Sequence, residues 1–499
     1  HPDPRPTTPA GDAIVLLHPH TPHAKRTTSW NATRPTLRSH HTESPTPHTR
    51  APPPTGRHQK TENPMPRTAA IAGLAAASLA AAQSTSPALF VSNNGNIEGS
   101  VTSFTIGTDG APVLQDFVLT SDNSNDPGNN ANAIDISPNG RYIAVGHAAG
   151  GTSNFRQVTI LEVDSEANLS ILGEFNAPAT PLALKWVTND LVALTQSSLD
   201  VNNRVLIFRF INNPTLPQFF QVGQAQAGAF TTSLAVNRDD LVVHAGNTQG
   251  GSGIFSYQVN PTTGDLTDIG FTSTGSTFAL GIARSPNNTL LYAFGGISSG
   301  GNAIAALDIN ADNSTSFINA SPFPSGGSSP KNGAFSDDGS VLFVGHGTDA
   351  TVRSFLVDEE SGEPAPTGNS FDIGLQGTLG EMTTLGDFLY VTDDSNAIDM
   401  VSGVQTFAFD DDGNFSPVGG RVDTLGVTPT GIVAWPGTTA PDCPGDANNT
   451  LTVDLDDLLI ILGNFGDPGP LGDLDNSGTV DLPDLLEVLS NFGSVCANP

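Results

Sequence analysis

One pattern recurs seven times between Pro87 and Pro436, at intervals of roughly fifty residues: a polar turn followed by a run of four mainly apolar residues. The copies are Ala88–Val91, Tyr142–Val145, Asp190–Ala193, Asp240–Val243, Leu290–Ala293, Val341–Val344 and Phe388–Val391. A second run follows nearly every copy, at Val101–Phe104, Val158–Leu161, Val205–Phe208, Gly253–Ser256, Ala303–Ala306, Val352–Phe355 and Val404–Phe407. Turns such as Pro261–Gly264 and Asp410–Gly413 then lead to a third. Apolar runs this short, bounded by Gly, Asn, Asp, Pro and Ser, read as strands. A small sheet cannot bury its faces alone, so repeated sheets of about four strands must stack, and seven of them close into an all-β propeller. No room exists ahead of Leu89 for the innermost strand of the first sheet, yet the chain continues past the seventh with Val427–Ala434. That segment is predicted to return to the first sheet and zip the ring shut, which removes free edges.

The C-terminal stretch from Cys443 to Cys496 carries a different repeat, with an offset of 27 residues: Gly445–Leu459 returns as Gly472–Leu486. Each copy matches a twelve-residue calcium loop, with oxygen-bearing side chains at positions 1, 3, 5, 9 and 12 and a carbonyl at 7. The first loop offers Asp446, Asn448, Thr450, the Thr452 carbonyl, Asp454 and Asp457. The second offers Asp473, Asp475, Ser477, the Thr479 carbonyl, Asp481 and Asp484, with Gly478 at the sharp turn where the first loop has Leu451. The second site is therefore expected to be the stronger. After each loop the apolar residues fall at helical spacing, Leu455, Leu458, Leu459, Leu462 and Phe465 and then Leu482, Leu485, Leu486, Leu489 and Phe492. Pro441 and Pro444 before the first loop and Asp467–Pro470 before the second leave no place for a preceding helix.

A duplicated loop followed by one helix, with Asp at position 12, resembles a type I dockerin, bracketed by cysteines as in secreted planctomycete proteins. The resemblance implies two bound calcium ions and a cohesin-type partner in a polysaccharide-degrading or cell-surface setting. Thr450 and Ser477 stand where dockerins usually carry Asp or Asn. Ile460 in the first helix corresponds to Glu487 in the second, off the main apolar stripe, so Leu455, Asp456 and Ile460 are the expected docking face.

Residues 1–64 hold 8 of the 11 histidines, lack apolar periodicity and are expected to be disordered, an extension upstream of the native start. Met65 opens an expected export signal over residues 65–82, one basic residue and then the apolar run Ala69–Leu79. The expected protein is secreted, with a propeller over residues 87–436, a linker over 437–442 and the calcium module over 443–496. Its two cysteines, Cys443 and Cys496, sit at the module's edges. Their pairing is expected in an exported chain and would contribute on the order of 4 kcal/mol. Residues 83–499 carry 10 basic and 46 acidic groups, an imbalance that excludes nucleic acid and anionic lipid as partners. No run is long enough for a membrane span.

The propeller repeats resemble the extracellular lactonase-like and YVTN families, most clearly at Leu389–Asp393, Ile136–Tyr142 and Phe335–Ser340. These motifs specify strands and turns, and leave chemistry open. His147 and His346 end matching Val-Gly-His triplets and His244 ends a Val-Val-His, with Asn93, Thr195 and Asp393 at aligned strand ends. Such a ring of polar groups fits either the mouth of a catalytic channel or turn-capping at blade edges. No nucleophile elbow, carboxylate pair or phosphate loop occurs in residues 87–436. Two functions follow: a propeller that binds a carbohydrate or protein ligand, docked by its C-terminal module, or a lactonase-like hydrolase docked the same way.

Overall fold

A computed structural model describes residues 86–437 and 445–494, apart from segments 96–97, 122–127, 149–156, 179, 197–202, 214, 250, 276, 297–301, 374–378, 394–401, 449, 451, 467–471, 473 and 475–478. The expected disordered extension, the export signal and both cysteines lie outside the described residues.

Seven antiparallel sheets follow one another along the chain, each with four strands on its main path. The repeated pattern of the sequence forms the second strand of every blade: Ala88–Asn94, Tyr142–His147, Leu191–Gln196, Val242–Gln249, Leu290–Gly296, Val341–His346 and Phe388–Asp393. These strands were legible because blades stack face to face and bury both of their faces. Every residue of Tyr142–His147 and Val341–His346 is buried, which demands a continuous apolar run. Outer strands such as Leu169–Asn176 alternate toward solvent.

Closure follows the expected route. Pro429–Trp435, from the far end of the propeller, pairs antiparallel with Ala88–Asn94, with Leu89 opposite Ala434 and Val91 opposite Ile432. Leu89, Val91 and Phe104 of blade one then pack on Tyr390 and Val404 of blade seven. Between blades two and three, Tyr142, Ala144 and Ile160 meet Trp186, Leu194 and Phe208 in the same manner.

The turn motifs are structural. Ser137 Oγ accepts the Tyr142 amide at 2.9 Å, and Ser285 and Ser336 repeat this on Leu290 and Val341. Gly140, in the first of these turns, has φ +67°, and a Cβ there would stand 2.3 Å from the Trp435 ring, so only glycine fits.

After the propeller come two helices, α1 over Leu455–Asn464 and α2 over Leu482–Asn491. Asp454 and Asp457 form a capping box on α1, and Asp481 and Asp484 repeat it on α2.

Candidate functional site

The innermost strands of all seven blades surround a central cavity of about 340 Å³. In five of them the pairing with the second strand skips: between Ala131 and Ala133, Thr231 and Ser233, Pro330 and Asn332, Leu379 and Met382, and opposite Ser92 and Asn93. Each skip is a bulge, and a bulge re-aims a side chain. The residues released are Asn132, Thr232, Lys331, Glu381 with its neighbour Gly380, and Thr430, and all of them line the cavity. Lys185, from the short inner strand Leu184–Trp186, lines it too.

After residue 82 the chain contains only two lysines, Lys185 and Lys331, and the fold brings both to the cavity that holds Glu381. Glu381 opens onto the cavity but is enclosed by the inner strands. That enclosure raises its carboxyl above the usual range, against the opposing pull of the Lys185 and Lys331 charges and with a further push from Asp135. Lys185 Nζ lies 3.2 Å from Asp135 Oδ1. Asp135 is itself buried, and its Oδ2 accepts from the Trp186 amide at 2.8 Å and from Arg238 Nη2 at 3.1 Å. One carboxylate of blade two thus fixes Lys185 of blade three and Arg238 of blade four. A carboxyl whose affinity for a proton is raised by enclosure, beside two ammonium groups, can activate water or hold an anion.

The three histidines that fitted either a channel mouth or turn-capping do not line the cavity. Register places Asn93, His147, Thr195, Asn247, Gly295, His346 and Asp393 at one level, on the second strands and one strand removed from the axis. His244 is out of line with them. It pairs with Ala235, whereas Asn247 occupies the place of His147, so His244 lies three residues, about 10 Å, farther down its strand. The Val-Val-His triplet misled because it stops three residues short of the bulge that marks the level.

The belt is turned inward on its own blades. His147 binds the Asn129 carbonyl at 3.2 Å through Nδ1 and Thr159 Oγ1 at 2.9 Å through Nε2. His346 contacts the Thr351 carbonyl at 3.2 Å and the Ser325 carbonyl at 3.1 Å, and burial holds its pKa below the usual value. Asn93 donates to Ser100 and Thr102, each at 3.1 Å, and Asp393 pairs with Arg421 at 2.6 Å. His244 contacts Ser256 Oγ at 2.9 Å; burial and the Arg284 charge lower its pKa to about 4, so it is neutral and a poor base. Of the two roles open to this ring, turn-capping is the one the geometry supports.

Lys185, Lys331 and Glu381 carried a signal of their own: scarce cations on inner strands, with Lys185 flanked by the apolar Leu184 and Trp186. Nothing local marks them as neighbours.

In the C-terminal unit the core differs from the expected stripe. Val453, Ile461, Val480 and Val488 are buried, backed by Leu458 and Leu485, while Leu455, Leu459, Leu462 and Phe465 are at least half exposed, as are Leu482, Leu486, Leu489 and Phe492. Side chains i and i+3 or i+4 share a face, and the sequence repeats two such faces without saying which is inside. Ile460, expected on an open docking face, is half-buried, and its Cγ2 lies 3.5 Å from where a Cβ on Gly472 would stand.

Asp457 is fully buried, with Oδ1 accepting from the Asn448 amide at 3.0 Å and Oδ2 from the Asp454 amide at 2.8 Å. Asp484 repeats this on Leu474 and Asp481, both at 2.7 Å. Asp446 Oδ1 accepts the Thr450 amide at 3.0 Å, and Thr450 Oγ1 reaches the Thr452 carbonyl at 3.3 Å. Asp454 is turned to the helix as its N-cap. Buried carboxylates beside amide, hydroxyl and carbonyl oxygens are hard donors, and that set fits a calcium ion in kind. Among the described residues no three His, Cys, Asp or Glu side chains converge on one point. Asp473, Asp475 and Ser477 lie outside the described residues, as does the Cys443–Cys496 pairing.

No family model and no curated relative matches the sequence. Solved structures do match in fold. A putative 6-phosphogluconolactonase from Bacteroides uniformis superimposes with a TM-score of 0.53 at 14% identity, covering 70% of this chain and 100% of its own. Another putative 6-phosphogluconolactonase, from Bacteroides fragilis, gives 0.53 at 14% identity over 70% and 98%. A functionally unknown protein from Desulfotomaculum acetoxidans gives 0.52 at 14% over 70% and 98%. At this identity the likeness is one of fold, a seven-bladed propeller shared with lactonase-like structures.

Proposed function

We propose that the propeller is a lactonase-like hydrolase whose reaction takes place in the central cavity. The observation that carries this reading is the convergence of Glu381 with the only two lysines after residue 82. Glu381 takes a proton from a water molecule, and the resulting hydroxide adds to the lactone carbonyl. Lys185 and Lys331 stabilise the negative oxygen that forms there. The ring C–O bond then breaks, and the leaving alkoxide recovers the proton from Glu381. The product is a hydroxy acid, whose carboxylate the two ammonium groups also suit. Asp135 positions Lys185 and does not touch the substrate. The cavity's volume lies at the small end of the range for small-molecule sites, which suits a single sugar-acid lactone.

Incubating the protein with glucono-1,5-lactone and following acid release in a pH-stat tests this. Hydrolysis above the spontaneous rate supports the reading. Its absence, with tight binding of a sugar acid in the same cavity, would make the propeller a binding protein.

The C-terminal unit supplies the second half of the proposal: an exported protein held at a cohesin-type partner by a dockerin-type module. Calcium, when bound, would neutralise the buried carboxylates; Asp446, Asn448, Thr450, the Thr452 carbonyl and Asp457 would hold it in the first loop. The paired exposed stripes, Leu455 through Phe465 and Leu482 through Phe492, support a covered face. Leu455 keeps its place in that face, and Ile460 leaves it. Calcium titration of the protein by calorimetry should show two sites, with Asp484→Ala removing one of them.

A further inference from the structure

Outside the central cavity, the groove between blades three and four departs from the propeller's own repeat. The residue that pairs two positions before the belt level is Thr102, Thr159, Ile207, Ala305, Arg353 and Gln405 in six blades, and Phe255 in blade four. In blade two Thr159 is engaged by His147. In blade four Asn247 instead donates to the Gly251 carbonyl at 3.0 Å, so the belt does not claim the Phe255 position.

Phe255 is half-buried, and its ring lies parallel to that of Tyr257 within 3°, the centroids 6.4 Å apart. Phe271 braces Phe255 from behind at 4.7 Å, and the Tyr257 hydroxyl donates to the Gln226 carbonyl, which fixes the second ring. Gly228 lines the adjoining wall, where a Cβ would stand 2.0 Å from Asn247 Nδ2 and 3.2 Å from the Phe255 ring. The resulting cavity measures about 500 Å³. Gln226 and Asp268 flank the rings, both are exposed, and among the described residues neither side chain makes a hydrogen bond or ion pair. Asp268 is near enough to help burial raise the Tyr257 pKa.

We propose that this groove binds a neutral hexopyranose unit of a glycan, a function separate from lactone hydrolysis. A pyranose offers one apolar face of C–H groups and a rim of hydroxyls. The half-buried Phe255 ring takes the face while Tyr257 stays buried as its support, the Asp268 carboxylate accepts from two neighbouring hydroxyls, and the Gln226 amide both donates and accepts. Asp268 is the only charged side chain in the lining, and the chain's net charge is −31, so an anionic ligand is disfavoured.

The test is calorimetric titration of the full protein with cellohexaose, mannohexaose and maltohexaose at millimolar concentration. At least one should bind. Asp268→Asn and Gln226→Ala, both surface changes that leave the core intact, should each weaken that binding by about 10-fold, the scale of one lost hydrogen bond to a charged or fixed polar group. Phe255→Ala should abolish it, and Glu381→Gln should leave it unchanged, which separates this groove from the channel. Failure of all three sugars to bind, or binding indifferent to Asp268→Asn and Gln226→Ala, would overturn the proposal.

Discussion

Two rings of polar side chains circle the same axis, and they differ in one respect, the strand that carries them. The belt sits on second strands, is buried between blades, and spends its hydrogen bonds on the neighbouring loop and strand, as His147 does on Asn129 and Thr159. The cavity ring sits on the innermost strands, where no further strand pairs on the axial side, and bulges release Asn132, Lys331 and Glu381 into open space. A polar residue at the end of an apolar run therefore marks a blade's fastening. A charged residue on the strand beside the axis marks a place where something can bind.

Substitutions can separate the rings. The largest expected effect is Glu381→Gln, which should lower lactone hydrolysis by about 10²-fold or more, the usual contribution of a general base, with little change in unfolding. If the same loss came from His346→Gln and not from Glu381→Gln, the assignment of roles would be reversed.

The next effect, on stability and not on turnover, belongs to His244. Its folded pKa of about 4 lies below the unfolded value of 6.5, so between those values the unfolded chain binds more protons and stability falls as pH drops. From pH 6.5 to about 4 this one group should cost the fold about 3 kcal/mol, all of it retained above pH 6.5. Denaturant unfolding at a series of pH values should show a shallower acid slope in His244→Gln than in the native chain. An equal slope would mean that His244 is not the buried neutral group described.

The smallest effect is expected in the belt. His147→Ala removes the ring that satisfies a buried carbonyl and a buried hydroxyl, and should cost about 1–3 kcal/mol of stability with turnover unchanged. A change in turnover at full folding would place the belt in the chemistry after all.

The second and third strands of every blade were legible because burial on both faces writes itself into the sequence as continuous apolar runs, such as Val341–Val344. Ring closure was legible too, since Pro429–Trp435 had no partner nearer than Ala88–Asn94. The belt was legible as polar strand ends but not as to role, and His244 was placed at the wrong level because a bulge, invisible in the residue types, sets the register. In the C-terminal unit the two helices were plain, while the inner face of each was not. Ile461 and Val488 went in, and Leu459 and Leu486 stayed out.

By itself the sequence determined the repeating sheet, its sevenfold count, the fastening turns and the two C-terminal helices, because each is written within a few adjacent residues whose spacing answers to local backbone geometry. Only the tertiary structure decided that Lys185, Lys331 and Glu381 meet. They come from blades three, six and seven, and they share a cavity because the ring closes and because bulges turn Lys331 and Glu381 toward the axis. Charges that approach across a closed ring leave no periodic trace along the chain, since the distance between them is set by the number of blades and not by any neighbour in sequence.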